Sequence, residues 1–434
     1  MMERPMPDQV PVACGRNLFK SFRDETGADR WVLEDVSIAV HENEVVCILG
    51  ESGCGKSTLL RILVGLVPPT RGDVLCHGEP LAGIHPGAAL VFQNFALYPW
   101  LTVEENVAMG LDGLGLAPED VRERTKRSID LVGLESYERA YPKELSGGMK
   151  QRVGIARALV SGPELLCMDE PFSALDVLTA ESLRSEVYRL WAGKEAGLKS
   201  VLMITHTIEE AVYLGDRIIL MDKNPGRVRT VLKNDLPHPR EYRSPAFQRL
   251  MERIHDTIVG IHLPDVPRPA WTKPTPLPRA RTGEITGLIE ILHDHGDRMD
   301  LFELDSITQY DFGHTIAVTK AAELLGLVET PGDEVRVTET GKRFLAADVN
   351  DRKLIVRERC ERLATFRLLL DLLERRPDRR LPAFVVRESL AIALPSERPQ
   401  QLFDTIVNWG RYAELFAYDS ALDEVSLAPL GAPG

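Results

Sequence analysis

Short apolar runs that stop at glycines or carboxylates, alternating with helical patterns, fill the chain from about residue 11 to residue 235. Val45-Val46-Cys47-Ile48-Leu49 and Leu165-Leu166-Cys167-Met168 have no polar position, which predicts buried strands. The stretch 200–204 and Arg217-Ile218-Ile219-Leu220-Met221 predict two more, while 58–63 and 149–159 predict helices. Strands and helices taken in turn predict an α/β domain.

A polar connection from Pro237 leads into a predicted helix over 245–261. Pro264, Pro267, Pro269, Pro274, Pro276 and Pro278 then crowd into about twenty residues, the composition of an extended interdomain linker. The expected organisation is a domain over 11–261, a linker over 262–282 and a tail over 283–434. In the tail, apolar spacing predicts helices at 285–295 and 312–325. Leu327-Val328-Glu329 and Val335-Arg336-Val337 flank the turn Thr330-Pro331-Gly332-Asp333, and another helix starts near Thr338. Helix, helix, two-stranded wing and helix is the outline of a winged helix. A weaker copy follows a long helix predicted over 351–376, with helices at 383–394 and 400–411 and a wing from 414–418 and 424–427.

A chain of 434 residues exceeds one ordinary core, in keeping with two or three domains. It has no uninterrupted apolar run of about 20 residues, and its start, Met1-Met2-Glu3-Arg4-Pro5, has no apolar core of a secretory signal. Cys14, Cys47, Cys54, Cys76, Cys167 and Cys360 are scattered without paired spacing, which predicts reduced thiols rather than a disulfide framework or zinc site. The net charge is −13, and 27 acidic against 18 basic residues from Gly283 onward put −9 of it in the tail. That balance argues against nucleic acid as the main partner. The helix over 312–325 carries Lys320 and His314 against Glu323, too few cations to follow a phosphate backbone. Arg375, Arg376, Arg379 and Arg380 read as a helix C-terminal cap, and His293-Asp294-His295 with Asp297 as a solvated helix end rather than a metal site.

The chemistry begins at Gly50-Glu51-Ser52-Gly53-Cys54-Gly55-Lys56-Ser57, which fits G-x-x-x-x-G-K-[ST] between a predicted strand and a helix opening at Thr58. Glycines let the backbone curl so that its N–H groups face phosphates at the helix N-terminus. Lys56 then reaches the β- and γ-phosphates, and the Ser57 hydroxyl can ligate Mg²⁺. An alkylating agent reaching Cys54 would block the loop. Far downstream, the strand 165–168 ends in Asp169-Glu170. Asp169 suits Mg²⁺ beside Ser57, and Glu170 suits a general base for the attacking water.

With Leu145-Ser146-Gly147-Gly148-Met149 standing between these motifs, the sequence resembles the ATPase subunits of ATP-binding cassette (ABC) transporters over about residues 11–260. The resemblance implies a P-loop NTPase fold with a helical subdomain, ATP and Mg²⁺ as ligands, and further site residues. Gln93 corresponds to the loop glutamine that senses Mg²⁺ and contacts the transmembrane partner. Ser146, Gly147 and Gly148 form the signature that contacts nucleotide, and Asp176 closes the D-loop Ser173-Ala174-Leu175-Asp176. His206 corresponds to the switch histidine that reaches the γ-phosphate. Phe22 sits where the family stacks an aromatic on adenine, with Phe19 the alternative. Met149 departs from the usual glutamine, outside the nucleotide-contacting part of the signature.

In this family two subunits pack head to tail, so the signature of one caps the ATP of the other. The resemblance therefore implies a second copy of the chain as partner, with transmembrane permease subunits docking on the apolar loop Phe95-Ala96-Leu97-Tyr98-Pro99-Trp100-Leu101. Thr102-Val103-Glu104-Glu105 after it reads as a capping box. Thr205-His206-Thr207-Ile208-Glu209-Glu210, Asn224-Pro225-Gly226 and Leu236-Pro237-His238-Pro239-Arg240 resemble the nitrate, sulfonate and taurine importers, which implies an extracytoplasmic solute-binding protein and a place on the cytoplasmic face of the inner membrane. The tail resembles the AAA-associated C-terminal domain, notably across residues 408–416. A soluble regulator gated by nucleotide and acting through the winged-helix-like tail is the alternative reading. An ABC ATPase remodelling nucleic acid would carry coiled-coil insertions or two cassettes, and neither is visible.

Overall fold

In the computed structural model, which describes residues 10–23, 27–223, 225–262, 274–308, 311–332, 334–394 and 397–427, two units divide between Met251 and Glu252. The first unit has strands β1 (Ala13–Arg23), β2 (Asp29–Val40), β3 (Val45–Gly50), β4 (Arg71–Cys76), β5 (Glu79–Pro80), β6 (Ala88–Val91), β7 (Leu165–Asp169), β8 (Ser200–Thr205), β9 (Arg217–Asp222) and β10 (Arg227–Lys233). One sheet runs β2-β1-β4-β5 and is antiparallel; the other runs β10-β9-β3-β8-β7-β6. From β9 to β6 the second sheet is parallel throughout, with β10 antiparallel at its edge. β3, β7 and β8 are buried at every residue, because a parallel strand flanked on both sides meets apolar neighbours on both faces.

Register decides what meets at the sheet's edge. Leu49 pairs with Thr205, Ile204 with Asp169, and Met168 with Val91, so four strands end side by side. Helix α1 (Lys56–Leu63) leaves the end of β3 and lies against β1, β3 and β7. Its Leu59, Leu60, Ile62 and Leu63 join the core shared by both sheets, each burial contributing roughly 2 kcal/mol. Helices α2 (Val103–Ala108), α3 (Pro118–Leu131) and α4 (Gly147–Leu159) pack on one another as a helical subdomain. The capping box before α2 forms as the sequence predicts: Thr102 Oγ1 accepts from Glu105 N at 3.2 Å, and Thr102 N donates to Glu105 Oε2 at 2.7 Å. α5 (Val177–Ala192) precedes β8, and α6 (Ile208–Leu214) follows it.

Below the opposite ends of the strands, Asp216 ties the sheet to the segment after β10. Its carboxylate accepts from Val45 N, from His238 Nε2 at 2.9 Å and from Arg240 at 2.8 Å. The deeply buried Arg240 also donates to the carbonyls of Val212, Tyr213 and Gly215. Burial pushes the Asp216 carboxyl up, but the His238 bond, the Val45 N–H and the Arg240 charge outweigh it and hold the group below its ordinary range.

α7 (Pro245–His262) runs across the division between the units. In the second unit, α8 (Thr282–Asp294), β11 (Arg298–Asp300), α9 (Leu301–Thr308), α10 (Phe312–Leu324), β12 (Val328–Glu329) and β13 (Glu334–Val337) come first. After α11 (Glu339–Ala346) and α12 (Val349–Cys360), the same order returns: α13 (Ala364–Glu374), β14 (Arg380–Pro382), α14 (Ala383–Ala393), α15 (Pro399–Tyr412), β15 (Phe416–Asp419) and β16 (Glu424–Leu427). Both repeats build a three-stranded sheet, β11-β13-β12 and β14-β16-β15, with the strand after the first helix beside the last strand. The single helix expected over 351–376 is two helices, interrupted where Leu363 turns extended. The interruption lets α13 direct Phe366, Leu368, Leu369, Leu372 and Leu373 into the second repeat, whereas α12 buries Val356 and Cys360.

Residues 263–273 of the Pro-rich stretch, Asn224 and Asp333 lie outside the described residues. From Pro274 on, the chain is bound into the tail: Thr365 donates to Thr275 O, Leu277 is buried, and Trp409 Nε1 donates to Ala280 O at 2.8 Å. His293 Nδ1 lies 2.7 Å from Asp297 Oδ1 while His295 Nδ1 meets Ile291 O, and among the described residues no group of three His, Cys, Asp or Glu gathers as a metal cage. No described helix is long and apolar enough to cross a membrane.

Asp216→Asn leaves the Arg240 guanidinium buried without its counter-charge and should destabilise the first unit by about 3 kcal/mol at neutral pH. Because the Asp216 pKa is depressed in the fold, its stabilisation is present above the unfolded carboxylate value and fades as pH falls through the folded one. Melting temperature followed from neutral to acid pH should therefore drop less steeply in Asp216→Asn than in the parent.

Candidate nucleotide-binding site

Between β3 and α1, Gly50–Gly55 form a tight turn in which Cys54 N donates to Glu51 O. Gly55 closes it as the N-cap of α1 at φ 94°, a left-handed conformation, and a Cβ there would stand 2.7 Å from Leu33 Cδ2 and 3.1 Å from Val32 O. Lys56 is 4% exposed, and its Nζ donates to Gly50 O and Glu51 O, both at 2.8 Å. The ammonium is thus held inside the curl of the loop rather than in solvent. Ser57 and Thr58 complete the first turn of α1, whose free N–H groups and dipole favour an anion.

Ser57 Oγ donates to Asp169 Oδ1 at 2.9 Å across 112 positions of sequence. Burial lifts the Asp169 carboxyl above its ordinary range, with the neighbouring Glu170 charge adding to it, against the Ser57 bond and the charges of Arg61 and Lys56. A buried carboxylate beside a hydroxyl is a hard-oxygen donor set of the kind Mg²⁺ takes, and a cation there offsets the cost of the buried charge.

Glu170 follows β7 at φ 47°, a left-handed conformation for a non-glycine residue. The turn aims its carboxylate across the strand ends. Oε2 lies 3.2 Å from Gln93 Nε2 and 3.2 Å from His206 Nδ1. A carboxylate only accepts, so both groups donate to the same oxygen. Burial pushes Glu170 up, but the hydrogen bond and charge of His206, with Lys56, bring it below the usual carboxylate range. Ser173 Oγ donates to Glu170 O at 3.0 Å and lies 3.4 Å from Gln93 Nε2. Lys56, Ser57, Asp169, Glu170, Gln93 and His206 therefore gather at one sheet edge.

The signature is built differently. Ser146 caps α4 by accepting from Met149 N, and Gly148 faces Thr179, where a Cβ would approach Cγ2 to 2.3 Å. Asp176 caps α5, accepting from Thr179 N at 3.1 Å and Thr179 Oγ1 at 2.7 Å. Phe22 ends β1, 46% exposed, with Lys20 Nζ 4.9 Å above its ring. Phe19 is engaged elsewhere, edge-on to Trp31 and under Arg71. In the apolar loop after Gln93, Trp100 is 69% exposed and Tyr98 stands beside it at 5.5 Å.

Two supports escaped the sequence reading. Arg157 of α4 donates to Ala96 O at 2.7 Å and Phe95 O at 3.0 Å, clamping the left-handed backbone after Gln93 to the signature helix. Thr205 donates to the buried Glu210 and accepts from Thr207 N, fixing the turn that carries His206. Arg157 belongs to no local pattern, and only the fold brings it to its partners, whereas Thr205, Thr207 and Glu210 lie within one six-residue run.

The family model described as ABC transporter matches residues 33–173, and that described as C-terminal AAA-associated domain matches 302–419. An uncharacterised ABC transporter ATP-binding protein of Methanocaldococcus jannaschii is 44% identical over 238 residues, 55% of this chain and 88% of that one. The aliphatic sulfonates import ATP-binding protein SsuB of Bacillus cereus is 40% identical over 235 residues, 54% of this chain and 91% of its own. Among solved structures, a dimeric ATP-binding cassette bound to ADP and phosphate matches at TM-score 0.46 and 32% identity, over 52% of this chain and 100% of that one.

The fold shields Cys54 from alkylation: it is 1% exposed, and burial lifts its thiol above the ordinary range despite the Lys56 charge. Iodoacetamide at about pH 8 should label the half-buried Cys76 well before Cys54 in the folded protein, read by peptide mass spectrometry.

Proposed function

This chain belongs to the family of ABC transporter ATP-binding subunits, and from that premise we propose that it hydrolyses ATP to power uptake of a small solute of the nitrate, sulfonate or taurine class through a membrane permease. The observation that carries the reading is the convergence of Gln93 and His206 on Glu170, beside the Lys56 loop and the Ser57–Asp169 pair. A sulfonate importer subunit at 40% identity supports the solute class.

In this reading the backbone of residues 50–55 and Lys56 hold the β- and γ-phosphates. Ser57 and Asp169 hold Mg²⁺, which supplies charge neutralisation on the phosphate oxygens. Glu170, kept ionised by His206 and Lys56, accepts a proton from the attacking water. His206 donates to the γ-phosphate as charge develops there, and Gln93 orients the water and the cation. Phe22 offers an open ring for adenine.

Ser146, Gly147 and Gly148 complete the site of a second copy, the N-terminus of α4 presenting its dipole to that copy's γ-phosphate. Closure of two chains on two ATP then moves the permease, which docks on the Tyr98–Trp100 loop. Because Arg157 joins that loop to the signature helix, permease contact and nucleotide closure share one rigid element. An extracytoplasmic solute-binding protein delivers the solute, and the chain works at the cytoplasmic face of the inner membrane.

Glu170→Gln should keep ATP binding and lose turnover by about 100-fold or more, accumulating an ATP-bound dimer on gel filtration. Parent-like turnover would remove Glu170 from its role. Capture of the intact chain from native membranes should retain a hydrophobic permease; recovery with DNA and no membrane protein would replace the importer reading with a nucleotide-gated regulator.

A further inference from the structure

A cavity of about 1090 Å³ opens inside the second unit, walled by residues 279–284, His314 of α10 and one face of α15. Along α15 its lining residues are Gln401, Asp404, Thr405, Val407, Asn408, Arg411 and Tyr412, mostly polar and spaced as a single helical stripe. The opposite stripe of the same helix, Leu402, Phe403, Ile406 and Trp409, is buried in the repeat's own core. The polar stripe faces the second wall across a cleft that is open to solvent, with Asp404 and Arg411 exposed.

Both walls are pinned. Trp409 Nε1 donates to Ala280 O at 2.8 Å, and Asn408 Oδ1 accepts from Thr282 N at 2.9 Å. The second bond fixes the Asn408 amide, so its NH₂ group is left as a donor on the cavity side of that contact. Charge is what sets the cleft apart. The tail from Gly283 on is acidic by nine charges, 27 against 18, yet Arg279, Arg281 and Arg411 all line this one cavity. Among the described residues none of the three guanidinium groups meets a carboxylate. The lining also carries two carboxylates, which keep their charge, so three guanidinium groups stand against two acids there. Glu284 accepts from Arg281 N at 2.7 Å and from His314 Nε2 at 3.2 Å, and Asp404 accepts from Gln400 Nε2 at 2.9 Å.

We propose that this cleft binds a small organic acid, whose carboxylate or sulfonate oxygens are taken by Arg279, Arg281, Arg411 and the Asn408 amide. Guanidinium forks match such planar or trigonal oxyanions with paired charge-assisted hydrogen bonds. The volume suits a metabolite-sized molecule. The site is separate from the nucleotide loop, and its existence does not depend on the importer reading.

Titration calorimetry on the full-length chain tests it with succinate and ethanesulfonate as probes, the first standing for carboxylic acids and the second for an imported sulfonate. At least one should bind saturably below about 10 mM, and Arg281→Gln with Arg411→Gln should weaken it tenfold or more. Arg343→Gln, which removes the same charge from α11 outside the cavity, should leave the affinity within about twofold. Failure of both probes to bind overturns the proposal. Equal loss in Arg343→Gln, or sulfate binding as tightly as either probe, reduces the effect to unspecific charge and overturns it as well. Binding of a short DNA duplex that depends on Arg281 and Arg411 would also overturn it.

Discussion

Four parallel strands ending in step are the constraint on which the candidate site rests. β3, β8, β7 and β6 are neighbours in that order, and their pairing sets Gly50, His206, Glu170 and Gln93 along one edge although they come from widely separated parts of the chain. A slip of one residue in any pairing would turn that strand's side chains to the other face and carry its terminal loop out of reach. β3, β7 and β8 are buried at every residue, so a slip there would also disrupt the packed core. Hydrophobic burial thereby fixes functional geometry to within a hydrogen bond.

That edge behaves as one electrostatic unit. Lys56 is drawn inward by two carbonyls, Asp169 is bonded to Ser57, and a single oxygen of Glu170 takes both Gln93 and His206. The two adjacent carboxyls are pushed in opposite directions, Asp169 up by burial and Glu170 down by His206 and Lys56 in spite of burial. Neighbouring acids with pKa values pushed apart are suited to different work, one to meet a cation and the other to handle a proton. The left-handed backbone at Glu170 costs roughly 1 kcal/mol, a local strain that the surrounding hydrogen bonds offset.

The buried strands, the phosphate loop, the capping box at Thr102 and the strand-end carboxylates could be read from the sequence because each has a contiguous signal. Apolar runs, fixed spacing of glycines and a Thr-x-x-Glu pattern all report local physics. Arg157 has no such signal, since its partners lie about sixty residues away, and the Thr205–Glu210 bond, though local, has no fixed spacing that marks it. Helix continuity over 351–376 was misjudged for a related reason. Propensity carries through residues 361–363, but two separate cores compete for the flanking apolar stripes and the chain breaks between them. The burial of Cys54 was equally invisible, because it depends on how the loop folds back against Gly50.

The bond from Trp409 to Ala280, with Thr365 holding Thr275, has a consequence for where the tail begins as an object. Its recognisable sequence starts at residue 302, after α8 has ended. Yet α8 supplies the first helix of the first repeat, and the chain from Pro274 to Arg281 closes over the core of the second. Physically the tail is a clasp: its two repeats are buckled by a strap that sequence similarity leaves outside its border. The packed unit is therefore longer than its pattern, and residues 274–281, which look like the end of a spacer, are part of it.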